Sequence, residues 1–83
     1  MPTKTLRKTL RSRENRVLIA LLVAARGDAG LTQRDLAAVL KRPRSFVSRI
    51  EAGERRLDVV EFVEFARALK LDPVAMFSKF VRS

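Results

Sequence analysis

The chain has 83 residues, with 18 Lys and Arg against 9 Asp and Glu and a formal charge of +9, enough for one small domain with one core. It contains no cysteine and no histidine, which excludes disulfides, thiolate or imidazole metal sites and histidine-based catalytic triads and is compatible with a reducing cytoplasm. The basic surplus is uneven: Met1 to Gly30 carries 7 basic and 2 acidic residues, Leu31 to Arg56 carries 7 and 3, and the remainder 4 and 4, an asymmetry that argues for a polyanionic partner.

Residues 1–11 read as a basic arm, with Lys4, Arg7, Lys8 and Arg11. Such an arm either follows a phosphate backbone or minor groove or is a solvated tail. The four-residue spacing of Leu6 and Leu10 also allows it to extend the first helix backwards. From Ser12, a suitable N-cap, a helix is expected to about Arg26, with Glu14 in the first turn where the dipole favours an anion. Val17, Leu18, Leu21, Leu22 and Ala25 form its expected buried face. Ile19 and Val23 widen that face, to cover either the last helix or a second subunit. The apolar run Val17 to Ala25 is internal and shorter than the roughly 20 residues a bilayer requires, so neither a signal peptide nor a membrane span is expected.

Gly27 and Gly30 bracket a short connection. Thr32 then caps a helix on which Leu36, Ala37 and Leu40 share one face while Asp35 and Ala38 lie opposite. After Lys41, Arg42 and Pro43 a second short helix places Phe46, Val47 and Ile50 on one stripe and turns Arg44, Ser45 and Ser48 outward, with Arg49 and Glu51 on the flanks. Pro43 suits the start of this second helix, since it donates no N–H and fixes φ near the helical value. This is the pattern of a helix-turn-helix over about residues 33–52, and the expected class is all-α, a compact five-helix bundle spanning residues 12–83.

The runs LTQRDLAAVL, SFVSRIEAGERR and FARALKLDP resemble the phage-repressor-like (Cro/Xre-type) helix-turn-helix family, over roughly Arg26 to Met76. The resemblance implies that Gln33 opens the first helix of the motif and bonds a phosphate, and that Ala37 lets the two helices approach. It also implies that Val47 and Ile50 lock the recognition helix to the core. Arg26 matches an arginine often held in an ion pair, here with Asp35 or Glu51. As a surface pair this would contribute about 0–1 kcal/mol. Where the family commonly has glycine in the turn, this chain has Lys41. If Lys41 is left-handed, the strain is about 1–2 kcal/mol.

Gly53 is expected to close the recognition helix, followed by an exposed loop in which Arg55 and Arg56 make positioning contacts to phosphate. Asp58 and Glu61 have the spacing of a capping box for a helix with Val59, Val60, Phe62, Val63, Ala66 and Leu69 on its apolar side. Asp72 and Pro73 start a last helix whose Met76, Phe77 and Phe80 are the expected dimer contact.

The expected function is that of a sequence-specific, double-stranded DNA-binding transcriptional regulator, not an enzyme, acting without a cofactor as a cytoplasmic homodimer on an inverted repeat. Base reading falls to Arg44, Ser45, Ser48 and Arg49, although Arg49 would otherwise pair with Glu51 or Glu54. Phosphate contacts fall to Thr32, Gln33, Arg42, Arg55, Arg56 and the arm residues Lys4, Arg7 and Lys8. Such a regulator represses by occupying a promoter or activates by touching polymerase; the alternative is a protein-interaction module, antitoxin-like, that binds an acidic partner such as a toxin, with DNA secondary. The central Arg44/Ser45/Ser48 face disfavours it, because protein interfaces usually anchor on aromatic or aliphatic side chains.

Overall fold

The computed structural model describes Leu10 and residues 12–83; the arm residues Lys4, Arg7 and Lys8 lie outside the described residues. Five helices follow one another within residues 12–83: α1 Arg13–Asp28, α2 Gln33–Leu40, α3 Arg44–Glu51, α4 Val59–Ala68 and α5 Pro73–Val81. The α2 and α3 pair forms the centre, with α1 packed on α3 and on α5, and α4 packed on α2 and on α5. No helix among the described residues is long and apolar enough to cross a membrane.

Each helix starts where its sequence supplies an acceptor or a proline. The Ser12 hydroxyl accepts from the Asn15 N–H, with Ser12 itself extended (ψ 157°). α1 therefore does not run on unbroken into the arm. Thr32 and Asp35 form a reciprocal capping box on α2, and Asp58 and Glu61 form another on α4. Each box satisfies two backbone donors that the first helical turn leaves free. Asp72 caps α5, with Pro73 at its start. Pro43 is the extended N-cap of α3 (φ −61°, ψ 151°), and the first helical residue is Arg44.

Four helices end in the same way. Among the described residues, those with positive φ are Gly30 (73°), Lys41 (58°), Gly53 (75°) and Lys70 (60°), one after each of α1 to α4. At each, two backbone N–H groups turn back into the last helical turn; after α3, Gly53 N–H donates to Ile50 O and Glu54 N–H to Arg49 O. This left-handed closure consumes carbonyls that would otherwise be unpaired. Gly27 lies inside α1, which reaches Asp28, so Gly30 alone makes that turn.

The core is made of Leu22, Leu36, Ala37, Phe46, Val47, Ile50, Phe62, Phe65, Ala66, Leu69 and Met76. Phe65, which the expected apolar side of α4 did not include, is the largest side chain buried almost completely. It completes the i, i+3, i+4, i+7 stripe with Phe62, Ala66 and Leu69. Two expected members are outside: Val59 is 78 % and Val60 67 % exposed. Val60 shares the solvent face of Glu64 and Arg67, and Val59 stands at the first turn beside a shallow hollow. On α1 only Leu22 is fully buried, with Leu18, Leu21 and Ala25 packed at the margin. Ile19 rests against the closing turn of α3, where its Cδ1 is 3.6 Å from the position a Gly53 Cβ would occupy. Met76 is 5 % exposed, so it anchors α5 to the core and does not belong to a surface for a second subunit.

Lys41 has the left-handed backbone (φ 58°, ψ 43°) that a side chain strains and glycine does not. Lys41→Gly is expected to stabilise the domain by roughly 1 kcal/mol, a rise in Tm of about 4–8 °C for a domain of this size. Thermal unfolding followed by circular dichroism measures it, and an unchanged or lower Tm contradicts the strain.

Candidate nucleic-acid interface

An eight-residue helix is marginal in isolation, so α3 depends on its packing. At about 100° per residue, Phe46, Val47 and Ile50 occupy one arc and Arg44, Ser48, Ser45 and Arg49 the other. Phe46, Val47 and Ile50 are at most 8 % exposed, while Arg44, Ser45 and Arg49 are exposed and Ser48 is half-buried. The Ser48 hydroxyl donates to the Ser45 carbonyl at 3.3 Å, which leaves its oxygen as an acceptor toward a partner. Among the described residues Arg49 makes neither of the ion pairs considered for it. Its guanidinium is available at the outer face.

Behind α3, three elements are tied at one carboxylate. Glu51 receives Arg26 Nε at 2.7 Å and Nη2 at 2.9 Å, and also Gln33 Nε2 at 2.8 Å. Arg26 Nη1 donates in addition to the Leu31 carbonyl at 2.8 Å. The side chains of Arg26 and Glu51 are only 17 % and 6 % exposed. The pair is therefore not the exposed one expected: it is two-pronged and largely withdrawn from water. Hydrogen bonding to Glu51 holds the Arg26 guanidinium still more firmly in its charged form. Gln33 is thus tethered at the start of α2. Its amide nitrogen keeps a second N–H for an outside acceptor.

Beyond Ser45, Ser48 and Arg49 on α3, the expected contact residues among the described residues fall into three groups, the first of them joined by Arg34, which the sequence does not single out. Thr32, Gln33, Arg34 and Arg44 line one cleft of about 530 Å³ at the start of α2. Arg42 and Arg55 lie over the Phe46 ring, their Cζ atoms 4.5 and 4.6 Å from its centroid. Arg56 lines a different hollow, shared with Leu10, Ser12, Asn15 and Phe80.

Arg55 is not a free cation. Its Nη1 and Nη2 each stand 3.0 Å from an oxygen of Glu61, and Nη1 also meets the Arg56 carbonyl at 2.9 Å. Glu61 is buried, and Oε1 additionally accepts the Asp58 N–H at 3.0 Å. The Arg55 hydrogen bonds, with that from Asp58, outweigh burial and hold the Glu61 carboxyl below the usual carboxylate range. Sequence spacing exposed Glu61 as a capping residue; its ion pair needed the loop's path. The same holds for Phe46, legible as core but not as a seat for two guanidiniums.

A short helix with a polar outer arc, pinned by a preceding helix and flanked by arginines, defines a helix-turn-helix. Residues 17–76 match the helix-turn-helix domain family. Among solved structures, an XRE-family-like protein from Pseudomonas syringae pv. tomato str. DC3000 is 49 % identical, with a TM-score of 0.83 over 90 % of this chain and 92 % of that one. The wild-type restriction-modification controller protein C.Esp1396I is 24 % identical (TM-score 0.79; 87 % and 95 % covered), and the clp gene regulator ClgR from Corynebacterium glutamicum is 22 % identical (TM-score 0.74; 87 % and 92 % covered). These two share the fold. A search of curated proteins found no match. The chain belongs to the XRE-type helix-turn-helix family of DNA-binding transcription regulators, which are not enzymes.

Removing one partner of a buried ion pair leaves the other charge unpaired, at a cost of about 3–5 kcal/mol. Glu51→Ala is expected to lower unfolding stability by about 3 kcal/mol, and Arg26→Met with Glu51→Leu to recover much of it. Urea unfolding of the three chains is the measurement; a loss under about 1 kcal/mol for Glu51→Ala would return the pair to the status of a surface contact.

Proposed function

We propose that the chain binds double-stranded DNA sequence-specifically, as a twofold dimer on an inverted repeat, with α3 in the major groove. The observation that carries this reading is the outward arc Arg44, Ser45, Ser48 and Arg49 on a helix whose other side is sealed into the core. Arg44, exposed at the first position of α3, is the principal base reader. Its guanidinium can bond N7 and O6 of a guanine together. Ser45 and Ser48 offer short hydroxyls at the same depth, and Arg49 reads a base or holds the backbone one turn on.

Phosphates are gripped by the start of α2, where the dipole and the first-turn N–H groups not taken by the capping box favour an anion, with Thr32 and Gln33 around it. Arg42 and Arg56 extend the grip, and the arm residues Lys4, Arg7 and Lys8 are further phosphate contacts. The acidic and basic residues of the last third balance, which suits the face turned away from the duplex.

A second subunit is placed on α5 and the start of α4. Phe77 is 52 % exposed although its ring meets Phe62 and Phe80 edge to face or tilted, 5.9 and 6.0 Å away. Leu57, Val59, Phe77 and Phe80 border one shallow apolar hollow. Joining two copies there buries the hollow, and reading successive major grooves requires their two α3 helices to stand about 34 Å apart.

Arg44→Ala is expected to weaken binding to a selected operator by about 10- to 100-fold, equivalent to about 1–3 kcal/mol of base discrimination, with Tm unchanged. Selection from random DNA followed by titration tests it; equal affinity for selected and scrambled duplexes removes α3 as the reader. For the dimer, Phe77→Glu should leave the helical content intact and give a monomer by sedimentation. A wild-type chain that is monomeric both free and on its operator would refute the twofold arrangement.

A further inference from the structure

The two arginines that share the Phe46 ring are not equivalent. Arg55 closes its fork on both oxygens of Glu61, and the carboxylate beneath it is fixed in turn by the Asp58 N–H. Arg42 has no carboxylate within ion-pair distance among the described residues. It belongs to the turn that enters α3, two residues before Arg44, and is exposed where Arg55 is half-buried.

A ring face attracts a cation and restrains its planar group, so stacking holds the Arg42 guanidinium in place before any anion arrives and reduces the freedom lost on binding. Two like charges on one ring would repel each other, and the ionised Glu61 offsets that. Arg55 hydrogen bonds are the main cause that keeps the Glu61 carboxyl ionised, and the field of Arg42 acts in the same sense.

Resting on the duplex-binding reading above, we propose that Arg55 is a positioning residue, closed on Glu61 to form one wall of the Phe46 seat, and that Arg42 is the cation which meets the DNA phosphate on this flank of α3. Arg55 then makes no phosphate contact of its own, contrary to what its place in a basic loop suggests.

Salt dependence separates the two roles, because each phosphate contact steepens the fall of log K with log salt by about 0.9, and a merely structural role does not move that slope. Affinity for the selected operator is measured between about 50 and 200 mM salt for the wild type, Arg42→Gln, Arg55→Gln and the pair Arg55→Gln with Glu61→Gln. The double variant keeps Glu61 from being buried as an unpaired charge, so it folds where the single one is weakened. Arg42→Gln is expected to flatten the slope by about 0.9 for each protomer bound at unchanged Tm. The Arg55 variants are expected to lose affinity severalfold and keep the wild-type slope. An unchanged slope for Arg42→Gln, or an equal flattening in the double variant, overturns the assignment. A wild-type chain whose operator binding is insensitive to salt would instead remove the duplex interface itself, and the proposal with it.

Discussion

The carboxylate of Glu51 is the constraint on which the rest of the interface depends. It is the last residue of α3, and it bonds at once to Arg26 near the end of α1 and to Gln33 at the start of α2. Three helix ends are therefore fixed at one point. Arg26 also takes the Leu31 carbonyl, so the connection between α1 and α2 is held by the same guanidinium. The apolar stripe of α3 sets which face is buried; Glu51 sets the azimuth and depth at which the other face is offered. Few groups in so small a core could do this, since dispersion and burial are nearly indifferent to small rotations of a short rod and hydrogen bonds to a charge are not.

A second carboxylate does comparable work at the opposite side of α3. Glu61 ends the loop from Gly53 to Asp58 as part of a capping box and ties Arg55 across it. Both acids sit among cations in a chain with a large positive excess. Their effect is local: they determine which arginines are committed inside the protein and which are left for an outside anion. The density of basic residues in a sequence thus overstates the number of free positive charges on the surface.

Much of this was legible beforehand, and the divergence follows a physical line. Helix starts announce themselves through Ser12, Thr32, Asp58 and Asp72, since a cap is a bond between neighbours in sequence. The stripes of α2 and α3 were readable for the same reason. Lys41 could be flagged because a turn of that shape constrains one residue, and it does adopt positive φ. Periodicity by itself puts Phe65 on the buried arc of α4 and Val60 opposite with Glu64 and Arg67, so hydrophobicity without spacing misleads there; Val59 is exposed because periodicity states which residues share a face but not how far the neighbouring helix extends along it. Met76 was assigned to an outer surface because its stripe cannot be told from that of Phe77 without the position of α1. The commitment of Arg55 to Glu61 spans a loop with no periodicity, so only coordinates reveal it.

The length of α3 has a consequence for information content. Eight residues rise about 12 Å along the axis, which is about three to four base pairs at 3.4 Å each. A word of four letters recurs by chance about once in 256 positions, far too often to mark one address among the roughly million or more competing sites of a genome. One copy of this helix can therefore choose among neighbours but cannot find a single place; discrimination on that scale has to come from repetition of the word or from the bendability of the DNA between its copies.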